Sequence, residues 1–294
     1  MHRLILLICT LFLMSSTFSQ DYSSRVFPMA ESSLLWKVTG DSIHDNTYIF
    51  GTIHLIPQSK YYFPDTLLSI NKNVDVVMLE VDLSVNMGGL MDKLILEEGS
   101  FFDFFSKEQT DSIILWAEKN LEMTESQMRM TFGKMKPFVV STMASAMGTD
   151  EPVESYDMNI SENAKKADIE ILGLESFEEQ ISMFDNYSNE EQAEMLMASI
   201  RDDEKTIEMQ NEMIDLYLGQ NIDSLFIFAT TDGAHSLDQT IFLDDRNKKW
   251  VPQIEDQIKK KNVLIAVGAG HLGGENGLIR LLEKKGYTLT PIKL

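Results

Sequence analysis

The sequence predicts an α/β protein whose central mixed sheet is built from its N- and C-terminal segments and carries a large helical insertion or cap. Apolar runs typical of buried strands lie near both ends of the 294-residue chain, at residues 74–81 and 263–267 among others. Between about residues 87 and 261, most segments have the apolar spacing of helices. Two of the end segments also share a motif, Gly51-Thr52-Ile53-His54 and Gly268-Ala269-Gly270-His271, each directly after an apolar run.

Residues 1–20 predict a secretory signal peptide. Arg3 precedes an apolar run at residues 4–14, and small residues follow it. Because this run is too short for a comfortable membrane span, we expect an exported protein, periplasmic or extracellular, with no stable membrane insertion after cleavage. The single cysteine, Cys9, lies inside the signal, which excludes disulfides and thiolate metal ligands in the mature chain. We expect residues 21–294 to form a single domain.

The charge of the chain argues against polyanionic partners. Its formal net charge is −21, and the charge becomes more negative when Arg3 leaves with the signal peptide. Such a surface disfavours nucleic acid and anionic lipid as partners. The simplest interpretation of this charge is solubility, and the sequence leaves the oligomeric state open.

The N-terminal segment predicts a β-hairpin and then a buried strand. Residues 34–39 and 47–50 have strand composition, and the turn between them contains His44. A short helix is expected at residues 65–71, and the strand at residues 74–81 ends in Glu80-Val81-Asp82. The C-terminal segment predicts a strand at residues 263–267, a helix at residues 278–285 and a last strand at residues 287–292.

Capping-box patterns predict helix starts within the central block, because a serine and a glutamate or glutamine at this spacing satisfy the first free backbone N–H groups. The pairs are Ser106 with Gln109, Ser176 with Glu179, and Ser188 with Glu191. A long amphipathic helix is expected at residues 189–218, ending at Gly219. One strand, at residues 169–172, interrupts the helices and runs into Gly173-Leu174-Glu175.

Two histidines and their neighbouring carboxylates are the main candidates for chemistry. Open α/β folds hold ligands at strand ends, so His54 and His271 could meet across adjacent strands. Glu80 and Asp82 lie two residues apart in a strand and therefore share a face. Such a set suits Zn²⁺, Mn²⁺ or Co²⁺, which could polarise a carbonyl or activate water. Alternatively, one histidine is a general base that a carboxylate orients, without a metal.

Three further patterns have competing interpretations. Arg246, on a predicted helix among charged residues, could form a surface salt bridge or hold a substrate carboxylate or oxyanion. The glycines at residues 268–273 formally match a dinucleotide fingerprint, but the remaining chain is too short and lacks the acidic ribose partner. A tight turn beside His271, with N–H groups that could stabilise an anion, explains them better. The methionine-rich residues 123–147 favour packing over copper binding, because their spacing is not compact.

Several of these segments together resemble the TraB/GumN family, the TraB/PrgY group that is related to Tiki proteins. The matching segments are Leu35-Trp36-Lys37, Phe50-Gly51-Thr52-Ile53-His54, Leu79-Glu80-Val81-Asp82, Lys136-Pro137, Gly173-Leu174-Glu175-Ser176, Asp245-Arg246-Asn247 and Ala266-Val267-Gly268-Ala269-Gly270-His271-Leu272. The resemblance covers roughly residues 32–292. It implies a fold similar to the erythromycin-esterase and ChaN-like group.

The resemblance also implies a metal-dependent hydrolase site. In this site His54 and His271 bind a divalent metal, Glu80 is a ligand or the general base, and Arg246 and Asn247 are additions, with Arg246 stabilising charge on the substrate. Since Tiki proteins cleave a peptide, we expect an exported hydrolase of the peptidase or amidase type. The alternative is a non-catalytic cell-envelope protein that sequesters a peptide or small ligand, and a third possibility is metal or haem carriage, as in ChaN-like relatives.

Overall fold

A computed structural model describes residues 32–82, 91–146, 151–201, 203–231 and 238–294 of the chain. The predicted signal peptide lies outside these ranges, as do Met147 and His235, a histidine that the sequence places in a connection between helices. Within them, no helix is long and apolar enough to cross a membrane.

The strands form one large sheet and one short ribbon. They are β1 (Leu35–Thr39), β2 (Thr47–Thr52), β3 (Ile56–Pro57), β4 (Val76–Val81), β5 (Val153–Glu154), β6 (Glu170–Glu175), β7 (Val263–Gly268) and β8 (Thr288–Ile292). The large sheet has the order β6-β4-β7-β2-β1-β8, and β3 pairs with β5 in the ribbon. The pairs β6/β4, β4/β7 and β7/β2 are parallel, whereas β1 is antiparallel to β2 and β8. The predicted α/β class with a mixed sheet is confirmed.

The helices lie mostly between β4 and β7 in the chain, as predicted. They are α1 (Asp65–Lys72), α2 (Met91–Leu94), α3 (Lys107–Leu121), α4 (Glu125–Phe132), α5 (Pro137–Ala146), α6 (Tyr156–Lys166), α7 (Phe177–Ser182), α8 (Asn189–Arg201), α9 (Asp203–Leu218), α10 (Ile222–Thr231), α11 (Asp245–Ile258) and α12 (Leu278–Lys284). Single helical turns occur at Gln58–Lys60, Phe101–Phe104, Met183–Asn186 and Ala269–His271, and a π-helical turn at Thr240–Asp244 leads into α11.

The described residues fall into two compact units. One, the sheet unit, comprises residues 32–82, 151–176, 211–231 and 238–294 and contains every strand named above. The other, the helical unit, comprises residues 91–146, 177–201 and 203–210. The single domain with an insertion at about residues 87–261 stays a prediction.

The sheet unit has a core of aliphatic side chains on its central strand. All five residues from Val263 to Val267 in β7 are fully buried. A strand between two parallel neighbours with both faces covered needs such a continuous apolar run, which is why β7 was recognisable in the sequence. Helix α6 packs on β4 and β6, and α11 packs on β6 and β7.

The helical unit has its own apolar cluster, which includes Phe101, Trp116 and Leu196. Its helix starts follow the sequence signals. Ser106 and Gln109 form the predicted capping box at α3, in which the backbone N–H of Gln109 donates to the Ser106 hydroxyl. Helices α8 and α9 occupy the predicted long helix on either side of residue 202, and the chain leaves the helix at Gly219 as expected.

Candidate functional site

The candidate site lies where four parallel strands of the sheet unit end. His54 follows β2, Glu80 is near the end of β4, Glu175 ends β6, and His271 lies in the turn after β7. Thr52 and Gly268 are paired in the register of β2 and β7, so the two Gly-x-x-His segments leave neighbouring strands side by side. The structure therefore brings His54, Glu80 and His271 together, as the sequence predicts, because the carboxyl ends of parallel strands meet at one edge.

His54 is held by Asp157, a residue that the sequence reasoning missed. The His54 Nδ1 atom is 3.0 Å from Oδ2 of Asp157, and the Thr52 hydroxyl donates to the other carboxylate oxygen at 2.9 Å. Asp157 lies in the first turn of α6, whose start is capped by the Ser155 hydroxyl. Since the carboxylate accepts the proton on Nδ1, the neutral imidazole has its lone pair on Nε2.

The Nε2 atom of His54, Oε1 of Glu80 and the His271 ring converge beside the Cα of Gly268. A Cβ atom on Gly268 would lie 3.7 Å from His54 Nε2, 3.1 Å from Glu80 Oε1 and 3.7 Å from His271 Cδ2. The backbone of Gly268 has φ −49° and ψ 135°, which any L-residue can adopt. The glycine is therefore required for the space at this point and not for the backbone conformation.

Arg246 lies at the centre of the cluster and is 7% exposed. Its Nε and Nη2 donate to both oxygens of Glu175, at 3.1 and 2.6 Å, and Nη2 also donates to Oε2 of Glu80 at 2.5 Å. Its Nη1 donates to the Phe242 carbonyl in the π-helical turn and to Nε2 of His271, at 3.0 and 2.9 Å. A guanidinium has five N–H donors, and these contacts use all of them.

His271 is a neutral acceptor of one defined tautomer. The Asn247 amide nitrogen donates to two backbone carbonyls, those of His271 and Asn276, so its oxygen must face His271 Nδ1 at 2.8 Å. Carbonyl oxygen only accepts, and Nδ1 therefore carries the proton. This leaves Nε2 to accept from Arg246. The indole of Trp250 packs on the imidazole, with ring centroids 4.5 Å apart.

Burial and neighbouring charges shift the pKa values of four groups in the cluster. Burial opposes ionisation of Glu80, but the charge of Arg246, with His271 and His54, lowers its pKa well below the usual range. Burial and the nearby Arg246 lower the pKa of His271 to about 3. Burial opposes protonation of His54, but the charge and hydrogen bond of Asp157 outweigh it and raise its pKa. Burial raises the pKa of Glu175, which Arg246 offsets only in part.

The predicted metal site stays a prediction, and the donors described here do not fit a metal. The His271 imidazole uses Nδ1 on Asn247 and Nε2 on Arg246, while the Glu80 carboxylate accepts from Gly268 N–H at 2.7 Å and from Arg246. Among the described residues, no group of three or more histidine, aspartate or glutamate side chains is arranged to hold a metal ion. The His54 Nε2 is the ligand atom that this arrangement leaves available.

The remaining sequence candidates are His44, Asp82 and the methionines. His44 is exposed in the hairpin turn, as expected. Asp82 follows β4 and is half-buried. In the helical unit, Met128 is buried in the apolar cluster as packing predicts, whereas Met130 is 82% exposed.

Comparison with known proteins identifies the family. A family model described as TraB/PrgY/gumN matches residues 34–291, nearly the whole chain. No curated protein and no solved structure matched the chain. The predicted resemblance is confirmed, and the chain belongs to the TraB/PrgY/gumN family.

Proposed function

We propose that this chain is an exported hydrolase of peptide or amide bonds in which His54 is the general base. The observation that carries the proposal is the pair formed by His54 and Asp157, which leaves Nε2 of His54 beside Gly268. A histidine whose Nδ1–H is held by a carboxylate has the tautomer and orientation that proton abstraction at Nε2 requires. No other described feature of the cluster is needed for this step.

Water bound above Gly268 would be the nucleophile. His54 Nε2 takes a proton from this water, the oxygen adds to the substrate carbonyl, and the imidazolium returns the proton to the leaving nitrogen. The ionised carboxylates of Asp157 and Glu80 stabilise the imidazolium that forms in between, since both raise the pKa of His54. Glu80 acts here through its charge, because Gly268 and Arg246 already bind its two oxygens.

Arg246 and Asn247 act as positioning residues in this proposal. All N–H donors of Arg246 are used within the protein, which leaves none for a substrate oxyanion. Asn247 sets the tautomer of His271. The chemistry at the bond is therefore assigned to His54 alone.

The test is cleavage of a defined synthetic peptide library, followed by mass spectrometry. Purified mature protein, His54→Gln and His44→Gln are compared, because His44 is an exposed histidine in the hairpin turn that precedes His54. Cleavage by the wild type and by His44→Gln, with none by His54→Gln, is expected. Cleavage that persists in His54→Gln overturns the proposal. Saturable peptide binding without any cleavage, in the wild type as well, also overturns it and supports the sequestering alternative.

A further inference from the structure

The contacts of His271 and Glu80 show what occupies the place expected for a metal. A divalent metal would need the Nε2 lone pair of His271, and this lone pair lies 2.9 Å from Nη1 of Arg246. It would also need Glu80, whose Oε2 accepts from Nη2 of the same guanidinium. The arginine thus contacts two of the three predicted metal ligands, and it does so with a positive charge.

Hydrogen bonds and an aromatic ring fix the position of the guanidinium. Glu175 binds it through both carboxylate oxygens, in the fork geometry that favours arginine over lysine. The Phe242 carbonyl fixes Nη1, and the guanidinium carbon lies 4.6 Å from the Trp250 ring centroid. Both carboxylates outweigh burial and raise the pKa of Arg246, so it remains charged.

We propose that Arg246 is the resident cation of this site and that it holds the positions on His271 and Glu80 that a divalent metal would otherwise take. A dication next to this buried guanidinium would be repelled, and the repulsion is strong where water is excluded. The inference goes beyond the proposed hydrolase activity, because it concerns the charge that organises the site and not the bond that is cleaved.

The proposal gives the second glutamate a reason. Glu80 alone accepts from only one N–H of the guanidinium, on Nη2. Glu175 accepts from two more, on Nε and Nη2, and so fixes the orientation of Arg246 toward His271 and Glu80.

The first experiment measures metal in the wild-type protein. The mature chain is loaded with Zn²⁺, Mn²⁺ or Co²⁺, dialysed and analysed by elemental mass spectrometry beside His271→Gln. We expect less than a tenth of an equivalent of metal in both. Near-stoichiometric metal in the wild type that is lost in His271→Gln overturns the proposal, and this measurement does not depend on whether any arginine variant folds.

The second experiment removes the cation. In Arg246→Ser, the His271 Nε2 and the carboxylates of Glu80 and Glu175 become available, so Co²⁺ binding with a visible absorption band is expected at about one equivalent. Arg280→Ser, which removes a partly buried arginine from a helix of the same unit, should bind none. A folded Arg246→Ser that binds no Co²⁺ overturns the proposal. Because these are binding measurements, they leave the hydrolase proposal to be tested separately.

Discussion

The Thr52 hydroxyl donates to one oxygen of Asp157, and the other oxygen of the same carboxylate holds His54 two residues further along the chain. One side chain of α6 therefore contacts both ends of a three-residue segment that leaves β2. Thr52 thus helps to hold the carboxylate that orients the His54 ring. This relationship leads to the first prediction.

Thr52→Val should weaken the hold on Asp157 without removing the carboxylate. A hydrogen bond to a charged group contributes about 1.5–3 kcal/mol to stability, so the free energy of unfolding should fall by about that amount in urea titrations. The freed carboxylate should also change the His54 ring resonances in NMR spectra.

Thr47→Val is the matched control, since Thr47 is a buried threonine of the same strand whose hydroxyl donates to the His44 carbonyl at 2.9 Å. It should lower stability but leave the His54 resonances in place. Equal changes at His54 in both variants would contradict a specific role for Thr52.

Asp157→Asn should lower the pKa of His54. The carboxylate raises this pKa in the folded protein, so its neutral isostere removes the cause. The acid limb of any pH–rate profile should move to lower pH, because the neutral imidazole is then present at lower pH. The plateau rate should fall by about 10²- to 10⁴-fold. Histidine NMR titration gives the pKa directly.

The same substitution has a pH-dependent effect on stability. A raised folded-state pKa stabilises the protein fully below the unfolded value of about 6.5, and the contribution is lost as the pH rises through the folded pKa. Asp157→Asn should therefore cost more stability at pH 5.5 than at pH 8.5. Asp215→Asn, at a surface carboxylate paired with Lys60, serves as control. A pKa of His54 that does not move in Asp157→Asn rules out the role given to Asp157.

Gly268→Ala should remove activity while keeping the fold. The backbone there suits alanine, but the new methyl group would lie 3.1 Å from Glu80 Oε1 and 3.7 Å from His54 Nε2, in the space assigned to the attacking water. We expect a loss of at least about 10²-fold in rate, the lower range of general-base catalysis.

Gly270→Ala is the control from the same motif, because its methyl group would meet its nearest neighbours at an ordinary 3.9 Å. It should retain most of the activity. If Gly268→Ala is as active as Gly270→Ala, the reacting centre does not lie above Gly268.

Acid should destabilise the protein through His271. Its folded-state pKa of about 3 is below the unfolded value of about 6.5, so unfolding takes up a proton between these pH values. Stability should fall as the pH drops through this window, by up to about 1.4 kcal/mol for each pH unit. Urea unfolding at pH 7, 5.5 and 4.5 measures the slope.

The His54→Gln background is the suitable one, since the raised pKa of His54 contributes with the opposite sign. Adding His271→Gln should lower stability at pH 7 and flatten its dependence on pH. Parallel curves with and without His271 would mean that the pKa of His271 is the same in the folded and the unfolded chain.

The sequence was sufficient where a local pattern determines the structure. Continuous apolar runs identified β4 and β7, because buried parallel strands need them, and the two Gly-x-x-His segments then identified the neighbouring strand ends. His54, Glu80 and His271 were found in this way. Each is attached directly to a strand that the sequence predicts.

Asp157 could not be found by the same reasoning. It lies in the first turn of α6, and its relation to His54 depends on how that helix packs on the sheet. In a chain with 46 acidic residues, an aspartate near a helix start has no distinguishing local feature. Only the tertiary arrangement selects it.

Arg246 is an intermediate case, because a usable signal was present. Trp250, Ile254 and Ile258 follow it at intervals of four residues, and all three are buried on one face of α11. This spacing places the arginine on the same face. The neighbouring residues Asp245 and Lys248 lie on other faces and form an ion pair with each other. Because Arg246 stands among such charged residues in the sequence, a surface position was an equally good interpretation.

The position of β7 between β4 and β2 has a consequence for synthesis of the chain. The sheet cannot form as one unit until residues 263–268 have left the ribosome, because β7 pairs with β4 on one side and with β2 on the other. Before that moment β2 and β4 each lack a neighbour, and long-range pairing of this kind is slow. Partial chains would expose two strand edges to aggregation or to chaperones. His271 and the strand that joins β2 to β4 thus leave the ribosome together.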